Sequence, residues 1–212
     1  MLVVDPHPLC RIVALLAELP GGGRSSPGWL TASLSLDAPV PMTADDALRA
    51  RVRDMLRIGG FKPTGRSKPA SEYLLRAATE GALSSISPVV DVINVVSLHS
   101  GLPISVVDAD RAAPPFRIGL AALGDRYVFN SAGQEIDIGG LLCLFDSFGA
   151  CANPVKDAQR TKTHGETRRT LTVIWGVVGE EERMGRASAW LQSLLHELGA
   201  VTMSVDLVPG SG

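Results

Sequence analysis

Aromatic side chains make up only 5% of this 212-residue chain. Cysteine is equally sparse, with Cys10, Cys143 and Cys151 at no metal-like spacing and no C-x-x-C. That excludes a disulfide scaffold and a thiolate metal site, and three thiols without a leader-like segment fit a reducing cytoplasm. Long apolar runs are missing. The densest, Ile12 to Leu19, is short, contains Glu18 and follows His7 and Pro8, so it belongs in a core rather than in a membrane. An excess of one charge is missing too. The net charge is −2, which gives no general attraction for DNA or membrane surfaces, so any RNA contact needs a local patch. There is no G-x-S-x-G, no phosphate-binding glycine loop, no nucleophile triad and no metal cluster. No cofactor is expected. The four histidines are scattered, His164 being the best placed of them, in a loop.

What is present is ordinary globular material. The chain is 45% hydrophobic and 20% charged, with 22 glycines and 14 prolines. This suits one domain over residues 1–212 with many turns and a sizeable core. Met1–Val4 reads as a strand. Leu9–Leu19 is too dense in apolar residues to decide between helix and strand. Gly21–Pro27 reads as a loop, and the alternation over Thr31–Leu36 suggests a strand. Thr43 with Asp46 resembles a capping box opening a helix whose buried face is Leu48, Val52, Met55 and Leu56, closed by Gly59-Gly60. A basic loop, Phe61–Pro69, leads to a helix over Ala70–Ala78. Together these elements gather Arg53, Arg57, Lys62, Arg66, Lys68 and Arg76. Such a cluster suits phosphate contact, and equally a solvated helix face.

Later segments are shorter. Phe116–Leu120, Tyr127–Phe129 and Leu141–Phe145 read as strands, and Ser147–Ala152 as irregular. Leu171–Val178 is a buried strand, Glu180–Leu198 an amphipathic helix with acids in its first turn, and Val201–Leu207 a closing strand.

The organising stretch is Ile86–Asp108. Ser87 suits an N-cap, Pro88 the first helical position and Gly101 a C-terminal stop. The intervening helix is apolar on nearly every face and therefore buried. Asp91 and Asn94, three apart, put a polar notch on one face, and burial obliges them to find partners. A second polar stretch, Asn153–Thr163, reads as a loop carrying Lys156, Asp157, Arg160, Thr161 and Lys162. Arg160 and Lys162 suit a phosphate or carboxylate, and Asp157 suits orienting them or a water.

V-V-D-V-I-N-V (Val89–Val95) followed by G-L-P-I-S-V-V-D (Gly101–Asp108) resembles the V-V-D-V-T-N-Y…G-Q-P-x-H-A-x-D signature of the B3/B4 domain family. This is the editing domain of the bacterial phenylalanyl-tRNA synthetase beta subunit, and the family includes free-standing members of about this length. The P-x-K-D-x-x-R-T-K run at Pro154–Lys162 is similar to one in those members. The resemblance is clearest over residues 48–178. It implies an α+β fold of mixed sheets with packed helices and, as function, hydrolysis of an amino acid wrongly esterified to tRNA. The partner implied is the aminoacylated 3′ end of tRNA. The implied catalytic set is Asn94, Ser105 and Asp157, and the implied binding set is Asp91, Ile93, Arg66, Lys156, Arg160, Thr161 and Lys162. Ile93 stands where the signature has Thr and Ser105 where it has His. These departures favour a different amino acid or a non-catalytic binding module, and an enzyme acting on a small amino-acid-like molecule is a third reading.

Overall fold

The computed structural model describes residues 1–21 and 25–210. Gly22–Arg24, inside the expected Gly21–Pro27 loop, lie outside the described residues. Among the described residues there are eleven strands and five α-helices, in the order β1 (Leu2–Val4), β2 (Cys10–Glu18), α1 (Gly28–Ala32), α2 (Asp46–Arg57), α3 (Ala70–Thr79), α4 (Pro88–Ser100), β3 (Ile104–Asp108), β4 (Arg117–Leu120), β5 (Arg126–Val128), β6 (Glu135–Asp137), β7 (Leu142–Asp146), β8 (Gly149–Ala152), β9 (Arg169–Val177), α5 (Glu181–Glu197), β10 (Val201–Ser204) and β11 (Leu207–Pro209). The fold is α+β, as the sequence implied.

Three sheets share the strands. One is antiparallel, in the order β10-β2-β9-β3. Its central strand β9 is buried from Thr170 to Val177, including Trp175. A strand flanked on both sides and covered on both faces reads as a continuous apolar run, which is what Leu171–Val177 shows. The second sheet is mixed, in the order β11-β1-β4-β7-β8, with β1 parallel to both neighbours. The third is the β5-β6 hairpin.

Helix α4 is the hub. It packs on α1, α3, α5 and β3, so Val92, Ile93, Val95, Val96 and Leu98 are all buried. Ser87 is its N-cap, Pro88 opens it, and Gly101 closes it at φ 77°. A side chain at Gly101 would be strained by that φ and would press on Ala44 and Leu48 at 3.0 Å, so only glycine suits both demands. Asp91 is fully buried at this helix start. Its carboxylate accepts from the hydroxyls of Ser26 and Ser85 and, at 2.8 Å, from Ile86 N–H.

Several expectations are corrected. Thr31–Leu36 is not a strand, because α1 covers its start and turns follow. The hydroxyls of Thr31 and Ser33 bond back to the carbonyls of Gly28 and Trp29, a local competition with sheet pairing that alternation of small residues does not reveal. Asp45, rather than Thr43, caps α2, its carboxylate accepting from Leu48 N–H at 2.7 Å. Ser147–Ala152 is not irregular throughout, since it contributes β8, irregularly registered against β7. Val201–Leu207 is two strands in different sheets, not one. Leu9–Leu19 resolves as strand.

Candidate site at the junction of the Asn153–Lys162 loop and helix α3

The loop that follows β8 is held open by polar bonds beneath it. The side-chain carbonyl of Asn153 accepts from the N–H groups of Val155 and Lys156 at 2.8 and 2.9 Å, closing an Asx turn. Its amide donates to the Tyr127 hydroxyl, which in turn donates to the Lys156 carbonyl. Ser105, on β3, donates to the Asn153 carbonyl at 3.0 Å and accepts from the Trp175 indole N–H at 2.9 Å. Asp157 turns inward to the N–H groups of Val106 and Asn153 at 3.4 and 3.3 Å. Burial pushes its carboxyl up to about 6, against the pull of those donors. Burial likewise raises the Tyr127 phenol well above its usual range.

The loop's upper face is cationic. Ala70 N–H donates to the Pro154 carbonyl at 2.8 Å, docking the loop on the start of α3. Lys156 then lies 4.2 Å over the Phe129 ring and 5.8 Å from that of Tyr73. The Lys162 ammonium donates to the Phe129 carbonyl at 2.6 Å. Burial and the charges of Arg66 and Lys162 lower the Lys156 ammonium below its usual range. Arg66 sits on a 3-10 turn, Gly65–Ser67, between Lys62 and Lys68.

Arginine and lysine are used differently here. Arg53 clamps Glu72, Arg57 pairs with Asp54 and Arg76 with Glu80. Those three members of the six-residue basic cluster are therefore neutralised. The chain's four lysines are Lys62 and Lys68, on either side of Arg66, and Lys156 and Lys162, on the loop after β8. Among the described residues none of them, nor Arg66, has a carboxylate within ion-pair distance. Arg66 and Lys162 lie close enough to Lys156 to act on it electrostatically.

The residues expected from the sequence divide accordingly. Lys156, Lys162 and Arg66 come together, with Asp157 and Ser105 directly below. Arg160 does not face an open anion site. Its guanidinium grips the buried Asp146 through two 2.7 Å bonds and also donates to the Gly149 and Ala150 carbonyls. Thr161 is buried, donating to the Cys151 carbonyl at 3.0 Å. Asp91 and Ile93 are buried in the α4 packing. Ser105 has both bonding directions occupied within the protein. Asn94 is the exception on α4. It is half-buried, and its amide has no hydrogen-bond partner among the described residues. Sequence reasoning missed Tyr127 and Phe129. The signal available was a pair of aromatics two residues apart, Tyr127 on β5 and Phe129 just past it, in a chain with few aromatics.

His164 lies elsewhere, 3.1 Å from Asp108. It lines a separate cavity of about 320 Å³ with Trp29, Pro88 and Leu198. Among the described residues no group of three or more His, Cys, Asp or Glu is placed to hold a metal ion, and no helix is long and apolar enough to cross a membrane.

Fold and site thus define a layered α+β protein carrying a basic, aromatic-floored loop junction. The chain belongs to the B3/4 domain family, whose sequence model matches residues 61–198. The structure is similar to an N-terminal fragment of the phenylalanyl-tRNA synthetase beta subunit from Pyrococcus horikoshii, at 14% identity and a TM-score of 0.55 over 99% of this chain. The likeness spans 52% of that fragment, and at this identity it shows the fold alone. No curated protein matches the chain.

Proposed function

We propose that the protein binds the aminoacylated 3′ end of a tRNA and hydrolyses a wrongly attached amino acid ester in trans. The observation that carries this reading is Lys156 lying over the Phe129 ring and near that of Tyr73, with Lys162 on the Phe129 carbonyl and Arg66 close enough to act on Lys156. Ammonium groups suit phosphates, and aromatic faces suit unstacked bases. The family resemblance supplies the substrate. Asn94, with its amide free, contacts the amino acid. Asp157, its two oxygens on the Val106 and Asn153 N–H groups, positions the loop from beneath, and the vicinal hydroxyl of the tRNA's terminal ribose assists the attacking water. Water adds to the ester carbonyl, the bond to the ribose oxygen breaks, and free amino acid and tRNA leave. Ser105 acts as a positioning residue, holding the loop through the Asn153 carbonyl.

Purified protein against a panel of correctly and wrongly charged tRNAs tests this. Release of one amino acid, lost in Asn94→Ala, supports the reading, and silence across the panel overturns it. A second reading, a binding module without turnover, is favoured by Ile93 and Ser105 standing where the family signature has Thr and His. Salt-sensitive tRNA binding with no deacylation would establish it.

A further inference from the structure

The cavity of about 320 Å³ beside His164 lies where the end of β2, the segment before α1, the start of α4, the His164–Thr167 turn and the end of α5 meet. Two buried carboxylates fix its walls. Asp91 accepts from the Ser26 and Ser85 hydroxyls and from Ile86 N–H, which ties the segment before α1 to the start of α4. Asp108 accepts from the Thr167 hydroxyl at 2.6 Å and lies 3.1 Å from His164 Nε2. Thr167 in turn accepts from His164 N–H at 2.9 Å, so the facing turn is closed on itself. A buried carboxylate holds its donors tightly, because a lone pair left unmatched there costs more than the bond is worth in water. The cavity is thereby preformed, as small-molecule sites usually are.

Its wall is mostly apolar, with Leu19, Pro27, Trp29, Pro88 and Leu198. Trp29 is left 40% exposed there, although α1 buries its Leu30 completely. Polar groups free to bond are few. Ser87 occupies the N-cap position of α4, yet its hydroxyl caps nothing and is left for another partner. Among the described residues no Lys or Arg lines the cavity, and Arg168 lies over Gly21, beyond the wall. The one carboxylate in the wall, Glu197, is exposed.

We propose that this cavity is a binding site for a small uncharged aromatic molecule, a heterocycle with one polar edge. Its ring packs against Trp29 and the apolar wall, where burial of ring area and offset stacking supply the attraction. Its polar edge meets the Ser87 hydroxyl, which can donate or accept, and that single contact sets the orientation. A charged ligand would leave water without a matched opposite charge inside the wall. The site is separate from the lysine loop and does not rest on the editing reading.

The test uses the purified protein and indole, followed by ligand-detected NMR. Tryptamine and indole-3-acetate carry the same ring with a charge of either sign. Indole should bind saturably, and neither charged analogue should bind more tightly. Trp29→Ala should weaken indole about tenfold, and Trp29→Phe should restore most of the affinity. Gly165 also lines the cavity, and a Cβ there meets nothing within 4 Å and needs no left-handed backbone. Gly165→Leu should therefore fold normally, by its denaturant midpoint, and crowd indole out. No saturable binding, or equal binding in the wild type, Trp29→Ala and Gly165→Leu, would overturn the site. Binding of either charged analogue ten times tighter than indole would overturn the ligand class.

Discussion

The indole N–H of Trp175 donates to the Ser105 hydroxyl at 2.9 Å, and that hydroxyl donates onward to the Asn153 carbonyl at 3.0 Å. Two buried strands and the site loop are thereby joined through one oxygen atom. Ser105→Ala leaves a buried donor and a buried acceptor unmatched. It should cost about 1–3 kcal/mol, measurable by denaturant unfolding, and should loosen the loop enough to reduce tRNA affinity. Full stability with full binding would show that the relay is not needed.

Arg160 is expected to matter for stability rather than for the anion. The pair with Asp146 is half-exposed on the arginine side and closed on the aspartate side. Arg160→Ala should cost about 2 kcal/mol, somewhat below the loss of a fully buried pair. The salt dependence of tRNA binding should stay unchanged.

Lys156 and Lys162 carry the opposite expectation for the anion. Lys156→Ala combined with Lys162→Ala should cost about 1–3 kcal/mol of stability, because the Lys162 bond to the Phe129 carbonyl is lost. The double variant should flatten the slope of log affinity against log salt by about 1.4, at roughly 0.7 per phosphate contact on a single strand. An unchanged slope would place the nucleic acid elsewhere.

Asn94→Ala should be close to neutral for stability, within about 0.5 kcal/mol, because no bond is lost. Deacylation, where present, should fall steeply. A large loss of stability would mean that the amide is a structural partner.

Asp157 gives the chain an unusual acid response. Its folded carboxyl is raised to about 6 from an ordinary 3.8, so the folded state holds its proton more tightly than the unfolded chain does. Between those values stability falls as pH rises. Asp157→Asn cannot titrate, so relative to it the wild type should lose stability from about pH 4 to about pH 6. Denaturant midpoints of the two proteins across that range check the sign. Asp146 works the other way. Burial alone would raise it, but Arg160 and the N–H groups of Phe148 and Ala113 hold it low, and its contribution is lost as pH falls.

Helix α4 was readable because its signals were redundant. Ser87, Pro88, an unbroken apolar body and Gly101 all marked one element, and burial of Asp91 followed from them. Helix α1 was not readable. It is only five residues long, too short to show a helical period, and the hydroxyl-to-carbonyl bonds that settle Thr31 and Ser33 leave no periodic trace. The site was half legible. Charge density pointed to Lys156 and Lys162, whereas the fate of Arg160 depended on Asp146, fourteen residues away and across a strand turn. The same blindness applied to Arg53, whose partner Glu72 lies on another helix.

Trp175 offers one more use. It is fully buried, whereas Trp29 is 40% exposed. With Trp29 and the half-buried Trp190 replaced by Phe, the remaining indole emission would come from Trp175, wired to the floor of the candidate site. The protein holds its own optical gauge there, and a ligand that shifts the loop should announce itself as a colour change without any label being attached.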